Sequence, residues 1–266
     1  MSRKPECDYN IVVAGGGAGG IGAALGAALE GADVLLVEKY GFLGGAATTS
    51  YVLAYCGFFQ QGETPIKAVG GVADLVLDEL CSLGLDCNPF CFPTTLNWII
   101  LLEPEAVKLA LDRVLIKAGV DVLLHTRVAA VARTADRIQS VTLAGMVRRR
   151  VAAEAFVAAT GDANLAMLAG LECRVGNDHG HLQAISAPIR IGGRDLTVSI
   201  DRNAVIAGFE TYNKIGKYPS ARTDGGIFTV VPRTGEMWWM MYASRDAQSI
   251  LRELYQSRAS GTWGST

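Results

Sequence analysis

The stretch that decides the fold is VVAGGGAGGIGAALGAALEGADVLLVEKYGFLGG, running from Val12 to Gly45. Just before and into it, DYNIVVA (Asp8 to Ala14) is a β-branched apolar run with a polar start, the pattern of a strand buried on both faces. After the glycines, Ile21, Leu25, Ala28 and Leu29 recur at helical spacing, and Gly31 stands where a helix would stop. ADVLLVE (Ala32 to Glu38) reads as a second buried strand. Strand, glycine turn, helix and strand make a βαβ unit, which closes right-handed onto a parallel sheet.

Within that unit Gly15, Gly17 and Gly20 satisfy G-x-G-x-x-G. Gly15 permits a tight turn off the strand, Gly17 leaves room for a pyrophosphate, and Gly20 lets the helix pack closely on the strand. The first helical N–H groups and the helix dipole then face the phosphate. A glycine inside a helix costs about 1 kcal/mol relative to alanine, so a run this dense needs a reason. Glu38 ends the second strand, where a carboxylate accepts hydrogen bonds from ribose hydroxyls and repels a 2′-phosphate, which argues against NADP. A spacer and a membrane segment both fail here, because Glu30 and Asp33 interrupt the run and strands flank it.

Glycines alone do not separate FAD from NAD. After Glu38 comes KYGFLGGAATTS (Lys39 to Ser50), a second Gly-rich loop where an NAD dehydrogenase usually runs into another crossover helix. Gly44 and Gly45 let the backbone approach a long ligand, with Thr48 or Thr49 as hydroxyl donors, and a cofactor reaching past the first pyrophosphate site is expected for FAD. With its GFLGG segment, the sequence resembles the FAD-dependent oxidoreductases with a glutathione-reductase-like flavin domain, in particular the bacterial branch with ERYGFLGGMAT-like sequence after strand two. EPEAVKLALDRVLIKAGVDVLLHTRVAAV (Glu103 to Val131), AFVAATGDANLAMLAG (Ala155 to Gly170) and HLQAISAPIRIGG (His181 to Gly193) are similar to later segments of that family, in the right order.

The resemblance implies a role for each matched position. Gly15, Gly17 and Gly20 surround the pyrophosphate, Glu38 binds the adenosine ribose, Lys39 is a further cofactor-binding position, and Gly44, Gly45, Ala47 and Thr48 line the path toward the isoalloxazine. Val128 offers backbone contact to adenine, and Thr160, Gly161 and Asp162 close over the cofactor. The residues themselves agree with this order. Pro104 is a good first helical residue, Val107, Ala110, Leu111, Val114 and Leu115 recur at helical spacing, and Gly119 ends that helix. VDVLLHTRVAAV (Val120 to Val131) reads as one returning strand, followed by strands in RIQSVTLAG and AAEAFVAAT. Read without the resemblance, ATGD is an ordinary strand-to-helix turn with Asp162 as N-cap.

Bulk composition sets the outer limits. The 266 residues are 50% hydrophobic and 19% charged, enough for a sizeable core. A net charge of −2 gives no basic excess for nucleic acid, and Arg148, Arg149 and Arg150 read as a solvated turn. The 6 cysteines include no C-x-x-C pair, which argues against zinc, and no metal site is expected. Cys87 and Cys91 flank Pro89 and read as unpaired thiols of a cytoplasmic protein; they do not match the redox pair of disulfide reductases. NWIILL (Asn97 to Leu102) is too short to span a membrane.

The expected architecture is α/β. A Rossmann-like FAD-binding domain with a parallel sheet occupies residues 1–50 and 103–175, residues 51–102 form a capping insertion around a helix in Gly70 to Gly84, and residues 176–266 form a partial antiparallel β substrate domain with a frayed tail, SRASGTWGST. Flavin carries the redox chemistry, so few catalytic side chains are needed. The candidates are His179 and His181 as acid–base groups, with ordinary surface-loop histidines as the alternative, and Arg190 as a clamp for an anionic substrate, with a sheet salt bridge as the alternative; His125 reads as structural. Trp238 and Trp239 are expected to pack in the substrate sheet.

Relatives in this family run considerably longer and return to the flavin domain with a second Gly-Asp segment, which does not follow here; a fragment or half of a split protein is therefore expected, its exposed sheet edge covered by a partner chain or a second copy. Two readings follow: an FAD-binding oxidoreductase acting on a small-molecule substrate, or a non-catalytic dinucleotide-binding fragment or partner subunit. An NAD dehydrogenase is a third.

Overall fold

A computed structural model describes residues 8–92, 96–182, 185–193, 195, 197–215, 226–231 and 234–244. The chain divides into two compact units, Met1–Cys173 and Arg174–Thr266.

In the first unit, β1 (Tyr9–Ala14) passes through the glycine turn into α1 (Ala18–Leu29), and β2 (Val34–Val37) returns parallel to β1, with Ile11 opposite Val34 and Ala14 opposite Val37. A one-turn helix α2 (Ala46–Thr49) follows the second glycine loop. Next come β3 (Ala54–Cys56), α3 (Val72–Ser82), β4 (Phe90–Phe92) and β5 (Asn97–Leu101), whose strands form a small antiparallel sheet in the order β3-β5-β4. α4 (Pro104–Lys117) opens on Pro104 and is followed by Gly119 at φ +74°, so the proline start and glycine stop behave as read. β6 (Asp121–Leu123), β7 (Arg127–Thr134), β8 (Arg137–Ala144), β9 (Arg148–Ala158) and the short α5 (Asn164–Leu168) complete the unit.

The main sheet has the order β6-β2-β1-β9-β8-β7. β6, β2, β1 and β9 run parallel, while β8 and β7 continue antiparallel from β9. Strand alternation sorts β1 and β2 between two cores. Val13, Val34 and Leu36 join Ile21 and Leu25 of α1 and Val107, Leu111 and Leu115 of α4, while Val12, Leu35 and Val37 join Val141, Leu143, Val151 and Leu165. Both faces are covered, and this is why the strands are apolar at consecutive positions, from Ile11 to Ala14 and from Val34 to Val37. Each fully buried leucine among them stabilises the fold by about 1.5–3 kcal/mol.

The structure corrects three readings of this region. Val120 to Val131 is not one strand. β6 pairs with β2, the chain turns at His125 (φ +51°), and β7 pairs with β8 instead. Arg148, Arg149 and Arg150 do not form a turn: they begin β9, opposite Ala144, Leu143 and Thr142, with exposed side chains. Cys87 is not a free thiol but is bridged to Cys81 across 5.9 Å between Cα atoms, tying the end of α3 to the loop after it; Cys91 is free. Spacing alone could not show that bridge, because α3 carries Cys81 back toward residue 87.

α3 is fastened to α4 through one buried carboxylate. Glu79 accepts from Lys117 Nζ at 2.5 Å and from Arg113 at 3.2 Å. Trp98 Nε1 donates to the Gly62 carbonyl at 2.8 Å and pins the loop that precedes α3.

The second unit contains β10 (Ile185–Ile191), α6 (Arg202–Ile215), β11 (Ile227–Val230) and β12 (Met237–Ser244), with an antiparallel sheet in the order β10-β12-β11. The strands fall where the sequence places them, but α6 is an addition to that reading. Phe209 of α6 meets Trp239 edge to face at 5.7 Å, and Trp238 is buried. The β10–β12 register shifts between Ala187 and Pro188, where proline has no N–H to give to a ladder. The SRASGTWGST tail lies outside the described residues. Among the described residues, no helix is long and apolar enough to cross a membrane.

Candidate cofactor site

A cleft of about 990 Å³ opens at the carboxyl ends of β1, β2 and β9, the edge where sheets of this kind bind ligands. Its walls come from the first glycine turn (Gly15, Gly17, Ala18, Gly19), the end of β2 (Glu38, Lys39, Tyr40), the second loop (Gly45, Ala46, Thr49, Ser50), the start of β7 (Thr126 to Ala129) and the segment after β9 (Ala159 to Asp162). Asn164, Leu165, Met167 and Leu168 of α5 complete it.

The glycines divide by what a methyl group would meet. On Gly15, at φ +109°, it would come within 2.6 Å of the Ala159 carbonyl oxygen; on Gly20, within 1.7 Å of the Gly15 carbonyl oxygen. Those two positions are glycine because of the protein itself. A methyl on Gly17 would find only the Gly45 Cα, at an ordinary 3.7 Å, so there the chain leaves open space facing the cleft. A ligand backed against the turn explains Gly17 as protein packing does not. The two glycine loops are also joined, Gly44 N–H donating to the Gly16 carbonyl at 2.9 Å.

Glu38 is buried, and both its carboxylate oxygens are held by backbone donors: Gly16 N–H to Oε2 at 2.7 Å and Tyr40 N–H to Oε1 at 2.9 Å. Each oxygen keeps a further lone pair for a ligand hydroxyl. Its own backbone is bracketed as well, Glu38 N–H donating to Leu123 and the Glu38 carbonyl accepting from Thr126 N–H, both at 2.9 Å. Beside it, Lys39 lies over the Tyr40 ring at 4.9 Å, and Tyr40 stacks on Phe42, which carries Lys108 on its own face at 4.2 Å.

Other sequence candidates fall into place around this frame. Lys39, Gly45, Val128, Thr160, Gly161 and Asp162 line the cleft. Gly44 adjoins Thr48, whose hydroxyl is buried and donates to the Leu43 carbonyl at 2.7 Å, and Ala47 belongs to the core. The hydroxyls of the lining in that loop are those of Thr49 and Ser50, although Thr49 already donates to the Gly45 carbonyl at 2.7 Å. Asp162 does not cap α5. Ala163 holds the N-cap position in a left-handed conformation, and the Thr160 hydroxyl accepts from Asn164 N–H at 2.8 Å. Sequence reasoning missed Thr126, Arg127 and Ala129, because the turn at His125 that presents them was hidden inside an apparently continuous strand. It also missed the α5 side chains, whose five-residue helix is too short for a periodic signal.

His179, His181 and Arg190 belong to the second unit. The backbone N–H groups of both histidines donate to the Asn177 side-chain oxygen, at 3.0 and 2.9 Å, in a local turn. Arg190 is ion-paired with Glu236 across the β10–β12 sheet, and this arginine holds the Glu236 carboxyl below its ordinary range. That is the salt bridge weighed against a substrate-binding role.

Fold and cleft together define a dinucleotide-binding α/β protein of the flavoprotein type. The chain belongs to the FAD dependent oxidoreductase family, whose model matches residues 10–258, and FAD is the cofactor which that family uses. A geranylgeranyl bacteriochlorophyll reductase-like protein from Thermoplasma acidophilum has a similar structure, at 18% identity over 96% of this chain and 62% of its own, with a TM-score of 0.54. L-proline dehydrogenase from P. horikoshii is similar at 15% identity over 96% of this chain and 77% of its own, with a TM-score of 0.50. Both likenesses are of fold. The chain spans about three-fifths of the Thermoplasma protein's length. No curated protein matches the sequence.

Proposed function

We propose that this chain holds FAD in the first-unit cleft and acts as an oxidoreductase on a small-molecule substrate. The observation that carries the reading is Gly17, a glycine demanded by nothing in the protein and facing a cleft of ligand size. Gly15, Gly17 and the N-terminus of α1 would hold the pyrophosphate, Glu38 the ribose hydroxyls with Lys39 beside it, and the Val128 backbone the adenine. Gly45, with Gly44, Ala47 and Thr48 shaping the loop behind it, would border the path of the ring, and Thr160, Gly161 and Asp162 would close the other wall. Bound FAD supplies the hydride and electron transfer, while the protein binds, orients and excludes water.

Residues 51–102 would cap the flavin end, and residues 176–266 would belong to a substrate domain whose edge strands a partner chain or a second copy would cover. His179, His181 and Arg190 remain the second unit's candidates for acid–base work and anion binding. A cytoplasmic location belongs to the same proposal.

The test is the purified protein's absorption spectrum with and without added FAD, against a Gly17→Ala variant. Wild type should take up FAD and bleach with dithionite. Gly17→Ala should fold normally, because its methyl has ordinary contacts, and lose the flavin. Colourless wild-type protein that ignores FAD, or tighter binding of NADH, would overturn the reading. The partial coverage of the Thermoplasma relative supports a second reading, a subunit that binds FAD but needs another chain for turnover. Flavin that bleaches with dithionite and with no substrate until a partner is added would favour it.

A further inference from the structure

We infer that His125 and Ala163 are positioning residues whose left-handed backbones fix two walls of the cofactor cleft; this rests on the FAD reading of that cleft. Among the described residues, four non-glycines have a left-handed φ: Tyr51, Leu96, His125 and Ala163. Three of them border the cleft in sequence. Tyr51 follows Ser50, His125 precedes Thr126, and Ala163 stands between Asp162 and Asn164. The fourth, Leu96, stands apart from the cleft, and most other left-handed positions among the described residues are glycines, as at Gly31, Gly84 and Gly119. A side chain in that region is strained and persists only where its surroundings dictate it, and such positions gather at ligand sites.

The surroundings at His125 are specific. Its N–H donates to the Tyr40 carbonyl at 2.9 Å, and Thr126 N–H donates to the Glu38 carbonyl at 2.9 Å. The ring lies against Gly41, where a methyl would come within 2.5 Å of Nε2. The left-handed turn is therefore what lets the chain leave the parallel sheet and still present Thr126 to Ala129 beside Glu38. A different backbone conformation at position 125 would draw Thr126 N–H away from the Glu38 carbonyl.

Ala163 does the same at the opposite wall. At φ +51° and ψ +31° it reverses the chain from the end of β9 into α5, with its own N–H on the Thr160 carbonyl at 3.1 Å and the next N–H on the Thr160 hydroxyl at 2.8 Å. Thr160 to Asp162 on one side and Asn164 on the other are wall residues. Glycine could adopt the same turn, but it would leave other conformations open. These two bonds from backbone N–H groups hold the left-handed turn at Ala163, and glycine, which reaches the same turn, should lose only a small part of that order.

The experiment is FAD titration, followed by flavin fluorescence quenching, on substitutions graded by tolerance of the left-handed region. The full chain is used, with folding checked by circular dichroism. Ala163→Gly and His125→Asn should stay within about threefold of wild type, whereas Ala163→Val and His125→Val should bind roughly tenfold more weakly or worse. Where a valine variant fails to fold, Ala163→Ser carries the comparison, with an intermediate loss expected. Valine variants that bind as tightly as wild type would overturn the proposal, as would an Ala163→Gly protein that loses FAD while folded. Wild type that takes up no FAD would overturn the cleft reading itself, a result distinct from a flat series in a protein that binds it.

Discussion

Gly16 and Glu38 are joined by a buried 2.7 Å hydrogen bond from the backbone N–H of one to the carboxylate of the other. The glycine turn after β1 and the carboxylate at the end of β2 are thereby one rigid piece, set before any ligand arrives. The carboxylate accepts from Tyr40 N–H with its second oxygen. An amide in its place has one acceptor, and its NH2 must face one of those two donors. Glu38→Gln should therefore lower unfolding stability by about 1–3 kcal/mol, the cost of one buried donor left unmet. Urea unfolding checks it, and a midpoint equal to wild type would contradict the rigid-piece account.

Gly45 and Gly17 give a second prediction. A methyl on Gly45, at φ +54°, would lie 2.8 Å from the Gly17 Cα, backbone against backbone, with no flexible side chain to give way. Gly45→Ala should push the two glycine loops apart and cost about 1–3 kcal/mol. Cofactor binding should fall with it. The expected pattern differs from that of Gly17→Ala, which should spare the melting temperature and remove the flavin. Thermal melts and FAD titrations of both variants separate the two.

Acid should loosen the joint between α3 and α4. Hydrogen bonds from Lys117 first, and then Arg113, hold the Glu79 carboxyl below its ordinary value of 4.5. A carboxyl depressed by folding contributes stability that is fully present above its unfolded value and is lost as pH falls through the folded one. Asp74, beside Lys67, acts in the same direction. The urea midpoint should hold above about pH 5 and fall below it. Glu79→Gln should be less stable near neutral pH and show a flatter acid limb. An unchanged limb would mean the pair does not couple to folding.

Thiol chemistry should divide the five described cysteines into two classes. Among the described residues, Cys56, Cys91 and Cys173 are free, and Cys81 and Cys87 are bridged. Alkylation of unreduced protein should label these three and spare the pair, with reduction exposing both at once; peptide mass mapping of these five positions reads the result. A cytosolic thiol pool keeps most bridges open, so protein isolated under alkylating conditions also tests the proposed location.

Much of the first unit was legible because both faces of its parallel strands are covered. Val12 and Val13 point into different cores, and an apolar run with no alternation is what that arrangement writes into the sequence. Pro104 and Gly119 marked α4 for equally local reasons. What stayed hidden depended on distant partners. His125 lies in a segment that looks like one strand, and only the switch from β2 to β8 as pairing partner breaks it. α6 buries Phe209 and carries Val205 and Tyr212 at helical spacing with it, a stripe that the sequence reading passes over. At the site, the glycine turn is plain in the sequence, whereas the direction of the Thr48 hydroxyl, which donates to the Leu43 carbonyl, depends on how the second glycine loop folds.

β9 has a consequence for how the protein is made. Its first half pairs with β8 and its second half with β1, and Ala159 N–H then reaches back to Ala14 beside the glycine turn. The first and last parts of the unit must therefore meet before Gly15 has a wall to lie against. Such pairing between distant parts of a chain forms late, since the loop between them must close first. During synthesis the βαβ segment emerges early with its glycines exposed, and it acquires a complete cleft only after the residues around Ala159 have followed.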